Sequence, residues 1–185
     1  MSGETVVRHC APTLAGIKTG SLFSCPCEDK AELQKEICAF NRKFVQKGLC
    51  LLPLKYEDEK KRVLLYMYRP AGLIKDLEDQ LAREVLQSEG YPWGNAGQCL
   101  VKLIRKLRDS REFPHEIGLF LSYPPEDVKG FIENHADNYK YSGIWKVYGD
   151  VEKAQNLFDK FKKCTQVYCR LWEEGSDIEQ LAVAG

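Results

Sequence analysis

Leu49-Cys50-Leu51-Leu52-Pro53-Leu54-Lys55-Tyr56-Glu57-Asp58-Glu59-Lys60-Lys61-Arg62-Val63-Leu64-Leu65-Tyr66-Met67-Tyr68 carries two short apolar runs, 49–54 and 63–68, around a charged turn. Neither run has room for a helix, so the stretch reads as a β-hairpin with a solvated turn. Pro53 has no N–H to give a ladder, which predicts that the first strand lies at an edge or carries a bulge. On the N-terminal side, Leu33, Ile37, Phe40 and Phe44 recur at helical spacing within 27–47, and Gly48 follows as a C-cap. Further upstream, Arg8 to Phe23 is punctuated by Pro12, Gly16 and Gly20. That segment reads as extended or looped, with residues 1–7 as a loose N-terminus.

On the C-terminal side, Leu73, Leu77, Leu81 and Val85 form one stripe, which predicts a single helix over 70–90. After a break at Gly90-Tyr91-Pro92-Trp93-Gly94, Asn95 is placed to cap a helix that turns Leu100, Leu103, Ile104 and Leu107 inward. Its other face holds Lys102, Arg105, Lys106 and Arg108, with Arg111 just beyond, and reads as solvated. Leu119-Phe120-Leu121 is apolar on consecutive residues, as in a central strand buried on both faces. Pro124-Pro125-Glu126-Asp127 opens a short helix, since proline suits the first turn and acids its positive dipole end. Residues 144–148 read as a strand, 151–174 as a long last helix, and 181–183 as an edge strand. Alternating helices and strands predict an α/β or mixed α+β fold. The expected form is a single compact domain over 1–185, with a central, mostly buried sheet of five to six short strands covered by about five helices.

The 185 residues carry 27 Lys plus Arg against 27 Asp plus Glu, a net charge of zero. Nucleic-acid and anionic-membrane binding call for a cationic surplus, so both are disfavoured. No run approaches the roughly 18 apolar residues that span a bilayer, and Glu4 in a polar start does not fit a signal peptide. These features predict a cytoplasmic chain, in which the eight cysteines are expected as thiols. No cofactor is specified.

Four stretches carry a family likeness: residues 8–16 (RHCAPTLAG), 112–121 (EFPHEIGLFL), 123–128 (YPPEDV) and 145–150 (WKVYGD). Together they resemble an uncharacterised bacterial family, domain of unknown function 3793, known mainly from anaerobic Firmicutes, and the likeness runs from about residue 8 to 183. The resemblance implies a cytosolic protein of an anaerobic cell and carries over no catalytic residue.

Read from the residues, several groups are candidates for chemistry. His9 and Cys10 pair a thiol with an imidazole, the combination that activates a nucleophile, although neighbours on an extended segment point to opposite sides. Cys25 and Cys27, with Cys10, offer thiolates to a soft metal, but a second well-spaced pair is missing. Lys18 stands between Gly16 and Gly20, where bare backbone admits an anion, without matching a P-loop. His115 and Glu116 precede the expected central strand and Tyr123 follows it, which sets His115 and Tyr123 roughly 20 Å apart. Trp145 and Lys146 offer an aromatic ring and a cation to a planar ligand. Each of these also has a plain packing or solvation reading.

Two functions follow. One is a thiol-dependent redox or metal-handling protein of anaerobic metabolism. The other is a non-catalytic module for an anionic or planar ligand such as a nucleotide, flavin or tetrapyrrole. A protein-adaptor reading rests on Tyr91 and Trp93 being exposed.

Overall fold

The computed structural model of the chain describes residues 1–92, 94–110 and 112–185, so Trp93 and Arg111 lie outside the described residues. In chain order the first half holds α1 (Gly3–Leu14), β1 (Gly20–Pro26), α2 (Lys30–Phe44), β2 (Cys50–Glu57), β3 (Arg62–Tyr68), α3 (Pro70–Leu77) and α4 (Gln80–Ser88). The second half holds α5 (Ala96–Asp109), α6 (Ile117–Phe120), α7 (Pro125–Glu133), β4 (Tyr141–Ser142), β5 (Lys146–Val147), α8 (Val151–Glu173) and α9 (Ile178–Leu181). The fold is mixed α+β. The residues divide into two compact units, Met1–Ala71 with Phe161–Gly185, and Gly72–Lys160.

The first unit is built on the hairpin. β3 lies between β1 and β2 and is antiparallel to both, which makes β1–α2–β2 a split crossover between strands of one direction. The register shifts between Pro53 and Lys55, so the proline does sit at a bulge on an edge strand. Strand alternation sends Phe23, Cys25, Leu51, Val63, Leu65 and Met67 into one core, where Val6, Cys10 and Leu14 of α1 and Leu33, Ile37, Phe40 and Phe44 of α2 meet them. Each such side chain, when fully buried, contributes about 1.5–3 kcal/mol of transfer free energy. Asn41 of α2 bonds both the N–H and the C=O of Leu51 (2.7 and 2.9 Å), groups that an edge strand otherwise leaves open.

Residues 3–14, expected as a loose end running into a loop, form α1, capped by the Ser2 hydroxyl on the Thr5 amide. Val6, Cys10 and Leu14 lie on one face, and their burial outweighs the bond that Pro12 cannot make. Residues 20–26, read as part of the same loop, form β1. Arg69, at the end of β3, closes the unit. Its guanidinium donates to the carbonyls of Thr13 and Leu14 at the end of α1, and to those of Lys47 and Val183. The end of α1 is thus met by a cation, as its dipole favours. The edge strand expected at 181–183 is absent, because Leu181 ends α9 and its backbone is spent on the helical pattern.

The second unit is mostly helical. The stripe over 70–90 is broken in two at Glu78 and Asp79, where Asp79 caps α4 by accepting from the Leu81 and Ala82 amides. Asn95 caps α5 as expected, accepting from Gln98. Leu119 to Leu121 is no strand. Ile117–Phe120 form a single helical turn buried on all sides, and consecutive burial suits that as well as it suits a central strand. The strand expected at 144–148 shrinks to Lys146–Val147, paired with Tyr141–Ser142. The central sheet of five to six strands is therefore replaced, among the described residues, by a three-stranded sheet and a two-stranded ribbon. No helix of the described residues is long and apolar enough to cross a membrane.

Candidate functional site

In the second unit a cavity of about 310 Å³ opens among α6, α7 and the β4–β5 hairpin, lined among others by Phe113, His115, Tyr123, Phe131, Trp145 and Lys146. That volume is at the low end of the range typical of small-molecule pockets. Four residues singled out from the sequence, His115, Tyr123, Trp145 and Lys146, thus line one space. The separation of His115 from Tyr123 along a strand is overturned, and the reason is geometric. A helical turn rises about 1.5 Å per residue where a strand rises about 3.3 Å. The chain then reverses at Ser122, whose φ is 58°, and the Tyr123 amide bonds back to the Gly118 carbonyl at 3.0 Å. Gly118 has to be bare, because a Cβ there would stand 2.8 Å from Val128 Cγ2 and 3.0 Å from Tyr123 Cδ2.

Asp127, in the first turn of α7 and only 3% exposed, organises the wall. Its Oδ2 accepts from the Trp145 indole N–H at 2.7 Å, and its Oδ1 accepts from the backbone amides of Tyr148 and Gly149, each at 2.8 Å. The indole is fixed further by stacking on Tyr123 (4.6 Å between centroids, 27°) and by an edge contact with Phe158 (4.4 Å, 77°). Burial pushes the Tyr123 phenol up from its ordinary value. Across the cavity, the Phe131 ring meets the His115 imidazole edge-on at 4.8 Å. Lys146 is half-buried. Its ammonium donates to the Ala136 carbonyl at 2.6 Å and stands over the Tyr139 ring at 4.6 Å, with no carboxylate partner among the described residues. Phe113 and Ile144, 49% and 47% exposed, leave the mouth apolar.

The other candidates fall elsewhere. Glu116 turns away from the cavity and is 2% exposed. It accepts from Lys106 Nζ at 2.5 Å and from the Tyr91 hydroxyl at 2.9 Å, while Lys106 also reaches Glu89 at 2.7 Å. Lys106 is accordingly not part of a merely solvated face. Tyr91 is buried, not exposed as the adaptor reading required, and Trp93 lies outside the described residues.

In the first unit, His9 and Cys10 sit on α1, where neighbours are about 100° apart round the axis. His9 is exposed and parallel to the Phe23 ring at 6.4 Å, whereas Cys10 is fully buried and burial pushes its thiol well up. Cys25 is buried and shifted the same way, while Cys27 is half-exposed. Among the described residues no three His, Cys, Asp or Glu side chains are grouped to hold a metal ion. Gly16, at φ 72°, packs 3.6 Å (from an added Cβ) off the Arg69 guanidinium. Lys18 lies over the Phe161 ring at 5.7 Å, and burial draws its ammonium down from 10.5 to about 8.

What sequence reasoning missed is Asp127 as an anchor, together with Phe113 and Phe131 as walls. The acid was visible in Pro124-Pro125-Glu126-Asp127, but its helix-start role explained it fully, and only its burial distinguishes it from Glu126.

The four signature stretches of this chain fall on α1, on α6 with its approach, on the start of α7 and on the Trp145 segment. Residues 6–182 match the sequence profile of DUF3793, described as a protein of unknown function. The chain belongs to the DUF3793 family. The match runs through both units of this DUF3793 member. No curated protein and no solved structure matches the chain.

Proposed function

We propose that this DUF3793 member is a binding module whose second-unit cavity takes a planar ligand carrying negative charge. The observation that carries the reading is the arrangement of Trp145 and Lys146. An indole locked by a buried carboxylate and stacked on Tyr123 gives a rigid flat wall, and an ammonium without a carboxylate partner borders the same space. Rigid aromatic walls with few placed polar groups are the usual makings of a small-molecule site. The family match through both units supports treating residues 1–185 as one domain. Thiol chemistry has less behind it, since Cys10 and Cys25 are buried and their thiols are pushed up, away from the thiolate that such chemistry uses.

A thermal-shift panel of nucleotides, flavins, tetrapyrroles and smaller aromatic acids tests the reading. A ligand at a hundredfold excess over its Kd stabilises by about 2.7 kcal/mol, and Lys146→Met should reduce that shift. If no planar compound shifts the wild type, or if the shift is unchanged in Lys146→Met, the proposal fails.

A further inference from the structure

The charge and shape of this cavity narrow its ligand further, on the footing of the binding reading above. We infer that it takes an aromatic monocarboxylate of one or two fused rings, with the carboxylate on Lys146 Nζ and the ring against Trp145.

Charge comes first. Lys146 is the one Lys or Arg among the described lining residues, and one of its three donors is spent on the Ala136 carbonyl. Two N–H groups remain, which a carboxylate satisfies. Asp127 brings a negative charge to the same lining, with its own oxygens occupied by Trp145, Tyr148 and Gly149. A phosphate monoester carries about −1.5 to −2 at neutral pH. A third to a half of that charge would enter without a Lys or Arg to meet it, beside a carboxylate that repels it, and an unpaired charge is costly to bury.

The backbone gives the same answer. Phosphate sites commonly add Arg forks or bare glycine amides turned to the ligand to whatever single cation they hold. Neither glycine of the lining is open in that way. Gly118 is packed under Val128 and Tyr123, and Gly143 under Phe158, where an added Cβ would stand 2.2 Å from Cε2. The Gly143 amide is also taken by the Trp145 carbonyl at 3.0 Å. Size sets the remaining limit, because a cavity of about 310 Å³ is at the small end of ligand pockets and suits one or two fused rings better than a tetrapyrrole.

The test uses the full chain and three probes that share one ring system: naphthoate, naphthylmethanol and naphthyl phosphate, measured by calorimetry. Naphthoate should bind about tenfold more tightly than either of the others, the factor expected from one charge-assisted pair. Lys146→Met should abolish that preference by bringing naphthoate down to the affinity of naphthylmethanol, and an unchanged far-ultraviolet circular dichroism spectrum certifies that the variant is folded. Naphthyl phosphate binding as tightly as naphthoate, or a carboxylate preference that survives Lys146→Met, overturns the inference and leaves the planar-ligand reading standing. Failure of all three probes to bind the wild type removes the inference and counts against the reading beneath it. Should Lys146→Met fail to fold, the three wild-type affinities decide by themselves.

Discussion

The indole N–H of Trp145 donates to Oδ2 of Asp127 at 2.7 Å, across eighteen residues of sequence and inside a wall where the acid is 3% exposed. The other carboxylate oxygen holds the Tyr148 and Gly149 amides, so one side chain fixes both a ring and the backbone that follows it. Asp127→Asn is nearly isosteric, but with Oδ1 still accepting from the two amides its NH2 would face the indole N–H, donor against donor. A buried donor left without a partner costs about 1–3 kcal/mol. The variant should lose about that much stability in urea unfolding, and ligand binding at the cavity should weaken with it. Trp145→Phe should cost a comparable amount, and the double variant less than the sum of the two. Additive losses would show that the bond is not a working contact.

Gly130 lies inside α7, where alanine normally gains up to about 1 kcal/mol over glycine. Here a Cβ would stand 2.4 Å from Tyr148 Cγ and 2.5 Å from its Cβ. The Tyr148 Cβ is fixed by the backbone, so a rotamer change that swings the ring away cannot relieve that contact. Gly130→Ala should therefore destabilise by about 1–3 kcal/mol, the usual range for overpacking. A raised melting temperature for this variant would refute the packing of α7 on the Trp145–Gly149 segment.

Lys106 bridges Glu116, whose side chain is 3% exposed, and Glu89, at 31%. Removing the cation leaves the buried carboxylate with the Tyr91 hydroxyl bond but without that counter-charge, so Lys106→Met should cost about 3 kcal/mol. Glu89→Gln, which touches only the outer pair, should cost less than about 1 kcal/mol. Burial, with the Glu116 carboxylate adding to it, also pushes the Tyr91 phenol up. A folded pKa above the unfolded one means that this part of the stability is complete below pH 10 and declines as pH rises beyond it. Ultraviolet titration should find one fewer tyrosine ionising only on alkaline unfolding in Tyr91→Phe than in the wild type.

Lys18 has the opposite sign. Burial lowers its ammonium from 10.5 to about 8, so between those values the unfolded chain holds a proton that the fold has released. Stability from this group rises with pH across that window and is lost as pH falls through about 8. Lys18→Met should consequently be more stable than wild type at pH 7, with the gap closing towards pH 10. Urea midpoints at both pH values measure it, and a gap independent of pH would rule out the shift.

Much of this fold was legible in the residues. The hairpin of β2 and β3, the bulge at Pro53, the Gly48 stop just beyond α2, the Asn95 cap and the Pro125 helix start all depend on local chemistry: missing donors, positive φ, and side chains within reach of nearby amides. Sequence also marked His115, Tyr123, Trp145 and Lys146, because residues able to bear chemistry are visible one at a time.

Their convergence was not legible, since it depends on whether Ile117–Phe120 is a strand or a helical turn, and four consecutive buried residues satisfy either. The same ambiguity hid α1 behind Pro12 and Gly16, where a buried face overrode local punctuation. Asp127 looked like a dipole partner until packing brought Trp145 and two amides onto its oxygens. Short-range chemistry along the chain settles where elements start and stop. Which of two locally acceptable elements forms, and which distant groups then share a cavity, follows from burial against partners far away in sequence, and only the folded chain supplies those.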